Sequence, residues 1–560
     1  MWKKLTFGGV LLAAAWAAHA QDYPRTRAVG SSFVPLDHWS YAVFERLAAQ
    51  GYLRTAMLGL KPWTRVECAR LTEEATGIVH QRILDDQRVT EIAAGMVAGL
   101  ESEFAYELGL LEGRRHRTAR LESAYARVTT MAGPVLNDAM HFGQTLPADF
   151  GRPFRRGTNA IAGGATRLEA GPLAIHLQAE YQHAPSAPAI PQGVLNVMAQ
   201  MDFNRPALTS APFEAIHRPN LLDTYVALNW RNWQVSVGRQ SLSWGPGAGE
   251  SLLLSNNAEP LDMVRLTRPV PSRMPGFLRR LGPVRSEMFA SRLKGLVLAP
   301  RPFIYGYKGS ARPHPRLEVG FATTTLLGGG VIPVTSRTFF QSVFGITPSS
   351  GTKPGDSRTA LDVSWLLPWF NDSVLFYFDG YQDDEFIYPI NPQNAIVRAG
   401  LYLSRLPGLS NWDLRVEGAS SESIFEGNFG HRNYLNFQYR DGYINRGNLM
   451  GNPLGRKGRQ MQVWMRYWFS PRSTLEGRFK HTSARPEFLP GGALWEDYSL
   501  GHRFQTRQGV YVKSFLQAEH IRRLPVLFAG ARRNVTLAVE IGFAPGEDAA
   551  PRRRSPRSQP

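Results

Sequence analysis

From about residue 118 to the end of the regular sequence, apolar residues recur at every second position. The last such stretch is the clearest. Val535, Leu537, Val539, Ile541 and Phe543 share one face, while Asn534, Thr536, Ala538, Glu540 and Gly542 share the other. Leu173, Ile175, Leu177, Ala179 and Tyr181 alternate in the same way, as do Met461, Val463, Met465, Tyr467 and Phe469 around Gln462, Trp464, Arg466 and Trp468. Successive strand residues point to opposite faces, so a period of two repeated over many short segments dictates β-structure.

A β-sandwich would alternate too, but two features separate it from a barrel. The faces opposite the apolar ones repeatedly carry charge, with no second apolar layer to pack against. Aromatics also gather at strand ends: Tyr181, Trp230, Trp233, Trp412, Phe469 and Phe543. An apolar outer band, a polar interior and aromatic girdles are the needs of a membrane barrel. Such a barrel must close, because an unpaired strand edge has no water to bond in lipid.

The alternating segments number about 18, from 118–130 to 533–543 and including 293–300, 315–323 and 431–439, an even count of the bacterial kind. Short turns such as Ala170-Gly171-Pro172 and Arg231-Asn232 alternate with long Pro/Gly-rich segments at 185–219, 241–259, 269–292, 324–356 and 441–457. The short turns are expected on the periplasmic side and the long loops outside. The fold class expected is an all-β transmembrane barrel with a small N-terminal α-helical bundle.

That bundle is read from residues 36–117, where the period is helical. Asp37 or Ser40 caps a helix carrying Tyr41, Phe44, Leu47 and Ala48 on one face, and Gly51 stops it. Thr64-Arg65-Val66-Glu67 is a capping box opening a second helix, with Gly77 as its stop. A longer helix is expected over 85–111, where Ile92, Met96, Leu100, Phe104, Leu108 and Leu111 form one stripe. The lone cysteine, Cys68, permits no intrachain disulfide and falls on this helical pattern as a small core residue.

The first 20 residues read as an export signal. Lys3 and Lys4 precede an apolar run from Leu5 to about Ala17, and Ala18-His19-Ala20 offers small residues for cleavage. Beyond it no stretch approaches the ~18 apolar residues of a spanning helix, which excludes a helical membrane protein. The expected organisation is therefore a signal peptide at 1–20, a periplasmic helical bundle at 21–117, the barrel at 118–543 and a disordered basic tail at 544–560.

Lys and Arg total 64 against 46 Asp and Glu, a formal charge of +18. This balance suggests an anionic partner. Export and the barrel pattern exclude nucleic acid and favour lipopolysaccharide phosphates or acidic surface polysaccharides, with outer-membrane lipid around the wall. No metalloprotease HExxH or hydrolase GxSxG motif occurs. Gly355-Asp356-Ser357 lacks a strand–turn–helix context, the histidines show no ligand spacing, and Asp383-Asp384-Glu385 reads as a solvated acidic loop. No catalytic residue, metal or cofactor is expected.

The most distinctive stretch runs from Gly238-Arg239-Gln240 through Trp244-Gly245-Pro246-Gly247 to Leu254-Ser255-Asn256-Asn257. Trp244 offers a flat apolar face suited to a sugar ring. Asn256 and Asn257 offer amides that both donate and accept. With Arg239 they are the candidate polysaccharide-binding residues; a structural turn with Asn caps is the alternative.

This stretch, together with Pro35-Leu36-Asp37-His38-Trp39, Pro62-Trp63-Thr64-Arg65, Asp441-Gly442-Tyr443 and Gly451-Asn452-Pro453-Leu454-Gly455, resembles the capsule-assembly Wzi family of outer-membrane proteins. The resemblance covers about residues 30–543. It implies an 18-stranded barrel with a periplasmic helical bundle, acting as a lectin that holds exported capsular polysaccharide on the cell surface. The polysaccharide export machinery is then a candidate partner. The 544–560 tail stands outside the pattern. His38-Trp39, Gly51-Tyr52 and Thr64-Arg65-Val66-Glu67 also resemble a single S-layer-homology repeat, which keeps a porin for sugars or anions as the alternative.

Overall fold

The computed structural model describes residues 29–343, 354–370, 372–383, 395–422, 433–456 and 458–546. The export signal, Asp384 and Glu385, and the tail beyond Gly546 lie outside the described residues.

Four helices lead the described residues: α1 (Ser40–Ala49), α2 (Arg65–Leu84), α3 (Glu91–Glu103) and α4 (Ala105–Leu111). Thr64 caps α2 as its sequence foretells, its hydroxyl accepting from the Glu67 amide at 3.2 Å. Glu67 does not reach back; both its carboxylate oxygens take Arg70 at 2.7 Å. Gly77 does not end α2, which runs seven residues further to Leu84. The expected helix over 85–111 starts at Glu91 and breaks at Phe104, whose ring is fully buried against Phe44. Phe104 is the point where burial overrides helical continuity.

A closed antiparallel barrel of 18 strands follows. Its first quarter is β1 (Arg117–Met131), β2 (Gly157–Ala170), β3 (Leu173–Ala184), β4 (Ile216–Leu221 and Thr224–Trp230) and β5 (Trp233–Gln240). Next come β6 (Leu261–Thr267, resumed at Ser272–Arg273), β7 (Pro283–Arg292), β8 (Phe303–His314), β9 (Leu317–Leu327) and β10 (Asp356–Leu366). The wall continues through β11 (Val374–Asp383), β12 (Ile396–Leu403), β13 (Trp412–Ser420) and β14 (Gly458–Ser470). It ends with β15 (Ser473–Ala484), β16 (Ala493–Gln505), β17 (Val510–Arg523) and β18 (Arg532–Phe543). Closure is made by β1 against β18, with Ala124 opposite Phe543 and Met131 opposite Thr536.

The alternation resolves as a barrel inside out relative to a soluble protein. On β18 the exposed residues are the apolar ones, Val535 at 47%, Leu537 at 50% and Ile541 at 58%, whereas Asn534 and Thr536 are buried at 1% and 0%. A contiguous exposed apolar wall is stable only against lipid. Trp230, Phe469 and Phe543 stand exposed at the short-turn rim.

Two expected strands are corrected. Residues 293–300 form no strand; Leu293, Leu296 and Ala299 pack into the interior, and the amides of Val297, Leu298 and Ala299 donate to the Asp441 carboxylate at 3.1, 2.8 and 3.1 Å. The described part of 431–439 is irregular. In their place stand β7 and β8, of which β7 falls within the expected loop 269–292.

Candidate functional site

Two insertions meet inside the lumen. The first is the N-terminal segment. Trp39, Phe44 and Leu47 pack with Leu366, Leu375, Tyr402 and Trp468, barrel residues beside the short turns. The segment following α1 rises further. Leu58 and Gly59 donate their amides to Glu318 at 2.7 and 3.0 Å, and Arg285 donates to the carbonyls of Leu60 and Pro62 at 3.1 and 3.0 Å. Glu318 and Arg285 are buried lumen residues of β9 and β7, so side chains of the wall anchor backbone that the barrel's strand ladder does not pair.

The second insertion is the loop after β5. Gly245 has φ +153° and faces the Ser251 and Asp379 side chains so closely that a Cβ would lie 2.8 Å from the former. The chain turns there and descends between β11 and β13. Arg398, fully buried, donates to the carbonyls of Pro246 and Gly249 and pairs with Asp379 at 3.2 Å. Leu252, Leu253 and Leu254 then fill the lumen with Phe289, Ile304, Tyr381 and Ile396.

The insertions join through a two-residue antiparallel bridge, Leu60 opposite Trp244 and Lys61 opposite Ser243, and the Gly245 amide donates to Gly59 at 2.9 Å. Trp244 is thus 0% exposed. Its indole N–H donates to Glu287, and its ring meets Phe289 edge-on at 5.4 Å between centroids. The expected stacking of Trp244 on a sugar is corrected: the ring has no free face, because it is packed among its own loop's leucines and the barrel wall while its backbone pairs with the N-terminal insertion.

Asn257 is also buried. It donates to Leu449 O at 3.0 Å and accepts from the Ala148 amide at 3.3 Å. Asn256, half-buried, donates to Ala148 O at 3.1 Å. Together they staple three loops, 132–156, 241–260 and 433–456, into one cap. Arg239 stands apart on the outer wall, bonded to Asp262 at 2.9 Å and Asn220 at 3.0 Å. The structure therefore unites Trp244, Asn256 and Asn257 in one loop and leaves Arg239 outside it.

A further latch holds the cap. His141 contacts Asp138 at 2.7 Å and Asp202 at 3.0 Å; Asp202 follows α5 (Gln192–Met201) and also receives Arg205 and Arg456 at 2.7 Å each. Burial alone would depress the imidazole, but the Asp138 and Asp202 carboxylates outweigh it and raise His141 to about 9. A histidine raised above its unfolded value stabilises fully below that value and loses the contribution as pH rises through the folded one. Backbone amides of 136–145 and 198–205 should thus exchange hydrogen faster above pH 9 than at pH 7, once intrinsic exchange is normalised. His141→Gln should abolish that difference; a wild-type profile in the variant would refute the latch.

Sequence reasoning passed over a cleft beside this cap. Trp464, Trp495, Gln460, Gln462, Arg478 and Glu250 line a cavity of about 40 Å³. One signal was visible: the alternation of β14 puts Trp464 on its polar face, between Gln462 and Arg466, where a lipid-facing role is impossible.

Fold and site together define a membrane-spanning β-barrel whose lumen is occupied from both ends. The chain belongs to the capsule assembly protein Wzi family, whose model matches residues 126–536. Among solved structures it is similar to Wzi of Escherichia coli, an outer-membrane protein described as involved in group 1 capsule assembly and as a carbohydrate-binding β-barrel. That likeness has 17% identity, covers 92% of this chain and 99% of that one, and has a TM-score of 0.66. OpdQ of Pseudomonas aeruginosa is more distant, at 9% identity over 77% of this chain and 98% of that one, with a TM-score of 0.41. A 55.8 kDa protein of the Klebsiella pneumoniae cps region is 26% identical over 201 residues, 35% of this chain. The match spans 38% of that relative's length.

Proposed function

We propose that this chain resides in the bacterial outer membrane and holds exported capsular polysaccharide at the cell surface, as a carbohydrate-binding barrel without catalytic activity. Family membership supports the capsule role. The observation that carries it over a diffusion porin is the Leu60–Trp244 junction, where two insertions meet in the lumen. In this reading residues 1–20 direct export, the helices lie in the periplasm, and the stapled loops face outward toward polymer and lipopolysaccharide. The +18 charge favours acidic polymers at long range, and export machinery delivers them. Trp244 acts as a positioning residue that shapes the cap from beneath.

The test compares cell-associated with released polysaccharide, with and without this gene, at matched total synthesis. A shift toward released polymer is expected without it; an unchanged ratio overturns the reading. Trp244→Ala removes a fully buried indole at roughly 3–5 kcal/mol. Because the strand ladder is untouched, the barrel should still fold while retention falls. Unchanged retention would remove Trp244 from the proposal.

A further inference from the structure

Beside the cap, the cleft among β14, β15, β16 and the 248–250 segment contains polar groups that the fold leaves unused. Trp464 and Trp495 are 7% and 5% exposed, yet neither indole N–H has a hydrogen-bond acceptor among the described residues. Arg478 makes no ion pair or hydrogen bond there, and its Nε is buried without an acceptor. Among the described residues Glu250 likewise has no cation within 4 Å and no hydrogen bond to its carboxylate. Of these atoms only Arg478 Nε is shut off from solvent; the indole N–H groups and the Glu250 carboxylate open onto the cavity, so a ligand seated there meets donors and an acceptor that the described protein leaves available.

We propose that this cleft is a saccharide subsite that takes one edge of a neutral pyranose, whose adjacent hydroxyls bridge Arg478 and Glu250. The inference rests on the polysaccharide-binding reading and gives it a place and a sugar class.

Size sets the first limit. About 40 Å³ holds roughly three waters at ~10–15 Å³ each, which is room for two or three hydroxyls but not a whole ring. Hydroxyls that replace those waters can keep their hydrogen bonds, so displacement costs little. Charge sets the second limit. Among the described lining residues Lys480 is already paired with Asp497, leaving the Arg478 cation and the Glu250 carboxyl, whose ionised form repels a sugar carboxylate, so an acidic sugar gains less than Arg478 alone would give. Burial lifts the Glu250 carboxyl to about 7, with Arg398 opposing and Glu417 adding to the lift. Near neutral pH it can therefore donate to a hydroxyl or accept from one. Gln462 donates to Gln460 at 2.6 Å, giving the wall a planar amide edge next to the two indoles. Ala248, at the mouth, is exposed.

The experiment uses the full chain in detergent micelles with the polysaccharide exported by the same cells, and with glucose, galactose, mannose and glucuronate as competitors. The chain has 13 tryptophans, so the cleft is read as the ligand-induced fluorescence change that Trp464→Phe removes, and heat-modifiable migration reports barrel folding. Arg478→Gln and Trp464→Phe should each fold and weaken polymer binding about tenfold, the loss of one or two good hydrogen bonds. At least one neutral hexose should compete and shift the fluorescence, and glucuronate should do neither better. Folded variants that bind as wild type, or a preference for glucuronate, would overturn the subsite while leaving polysaccharide binding intact. A wild-type chain that ignores the polymer but still responds to a hexose would overturn the capsule reading and keep the subsite. Silence toward both would overturn both.

Discussion

Arg398→Met should destabilise the barrel by about 3–5 kcal/mol and release the turn at 245–250, because removing one member of a buried charge network strands the others. Four groups converge on this guanidinium: the carbonyls of Pro246 and Gly249, Asp379 at 3.2 Å and Glu417 at 3.7 Å. Without it the two carboxylates, on the strands either side of β12, are left without their shared cation. Among the described residues Asp379 keeps only the Leu252 amide at 3.0 Å, and Glu417 keeps the Tyr377 hydroxyl at 2.7 Å and the Gly249 amide at 3.3 Å. The two carbonyls lose their donor. Thermal unfolding of the detergent-solubilised barrel gives the first readout and proteolysis within 245–254 the second. Neutralising the stranded acids in the same background, with Asp379→Asn and Glu417→Gln, should recover part of the loss, since neighbours in one network are not additive. An unchanged unfolding temperature with a protected loop would show that the turn is held from elsewhere.

The lumen network also explains which parts of the fold could be read from sequence. On β18 the membrane and the interior demand opposite chemistries, so Val535 to Phe543 display a clean alternation. On β7 and β8 they do not. Their lumen faces carry Phe289 and Ile304, which are apolar because the inserted loop packs Trp244 and Leu254 against them. Apolar residues then fall on both faces and the period disappears. The segment 293–300 misleads for the converse reason: Leu293 and Leu296 serve the same cluster from a loop. Trp244 is a similar case. Its Gly-Pro-Gly neighbourhood marks a tight turn correctly, but its burial depends on Glu287, 43 residues away, and on Leu60 far earlier in the chain. Local sequence holds no record of either contact. Asn256 and Asn257 were recognisable as polar residues at a turn, yet whether their amides face sugar or backbone was decided by Ala148 and Leu449.

In planar bilayers the wild-type chain should show no steady open pore, whereas Arg285→Ala combined with Glu318→Ala should conduct. A barrel of 16–18 strands leaves an aqueous channel unless something fills it. Here the filling is conditional on a few bonds. The upper tip of the N-terminal insertion, Leu58 to Pro62, hangs on Glu318 through two amides and on Arg285 through two carbonyls. Hydrogen bonds to charged groups contribute roughly 1.5–3 kcal/mol each, so losing both side chains exceeds what the two-residue bridge to Trp244 can hold. The helices themselves should stay docked, since their apolar contacts with Leu366, Leu375, Tyr402 and Trp468 are untouched. Conductance should therefore come in long-lived partial steps rather than as a full 18-strand pore. Trp244→Ala, which loosens the same bridge from the loop side, should give steps of similar size. A steady full-size conductance in the wild type would defeat the closed-lumen reading and restore a diffusion porin. A double variant that stays silent would place the seal in the leucines of the descending loop, Leu252 to Leu254, and not at the junction.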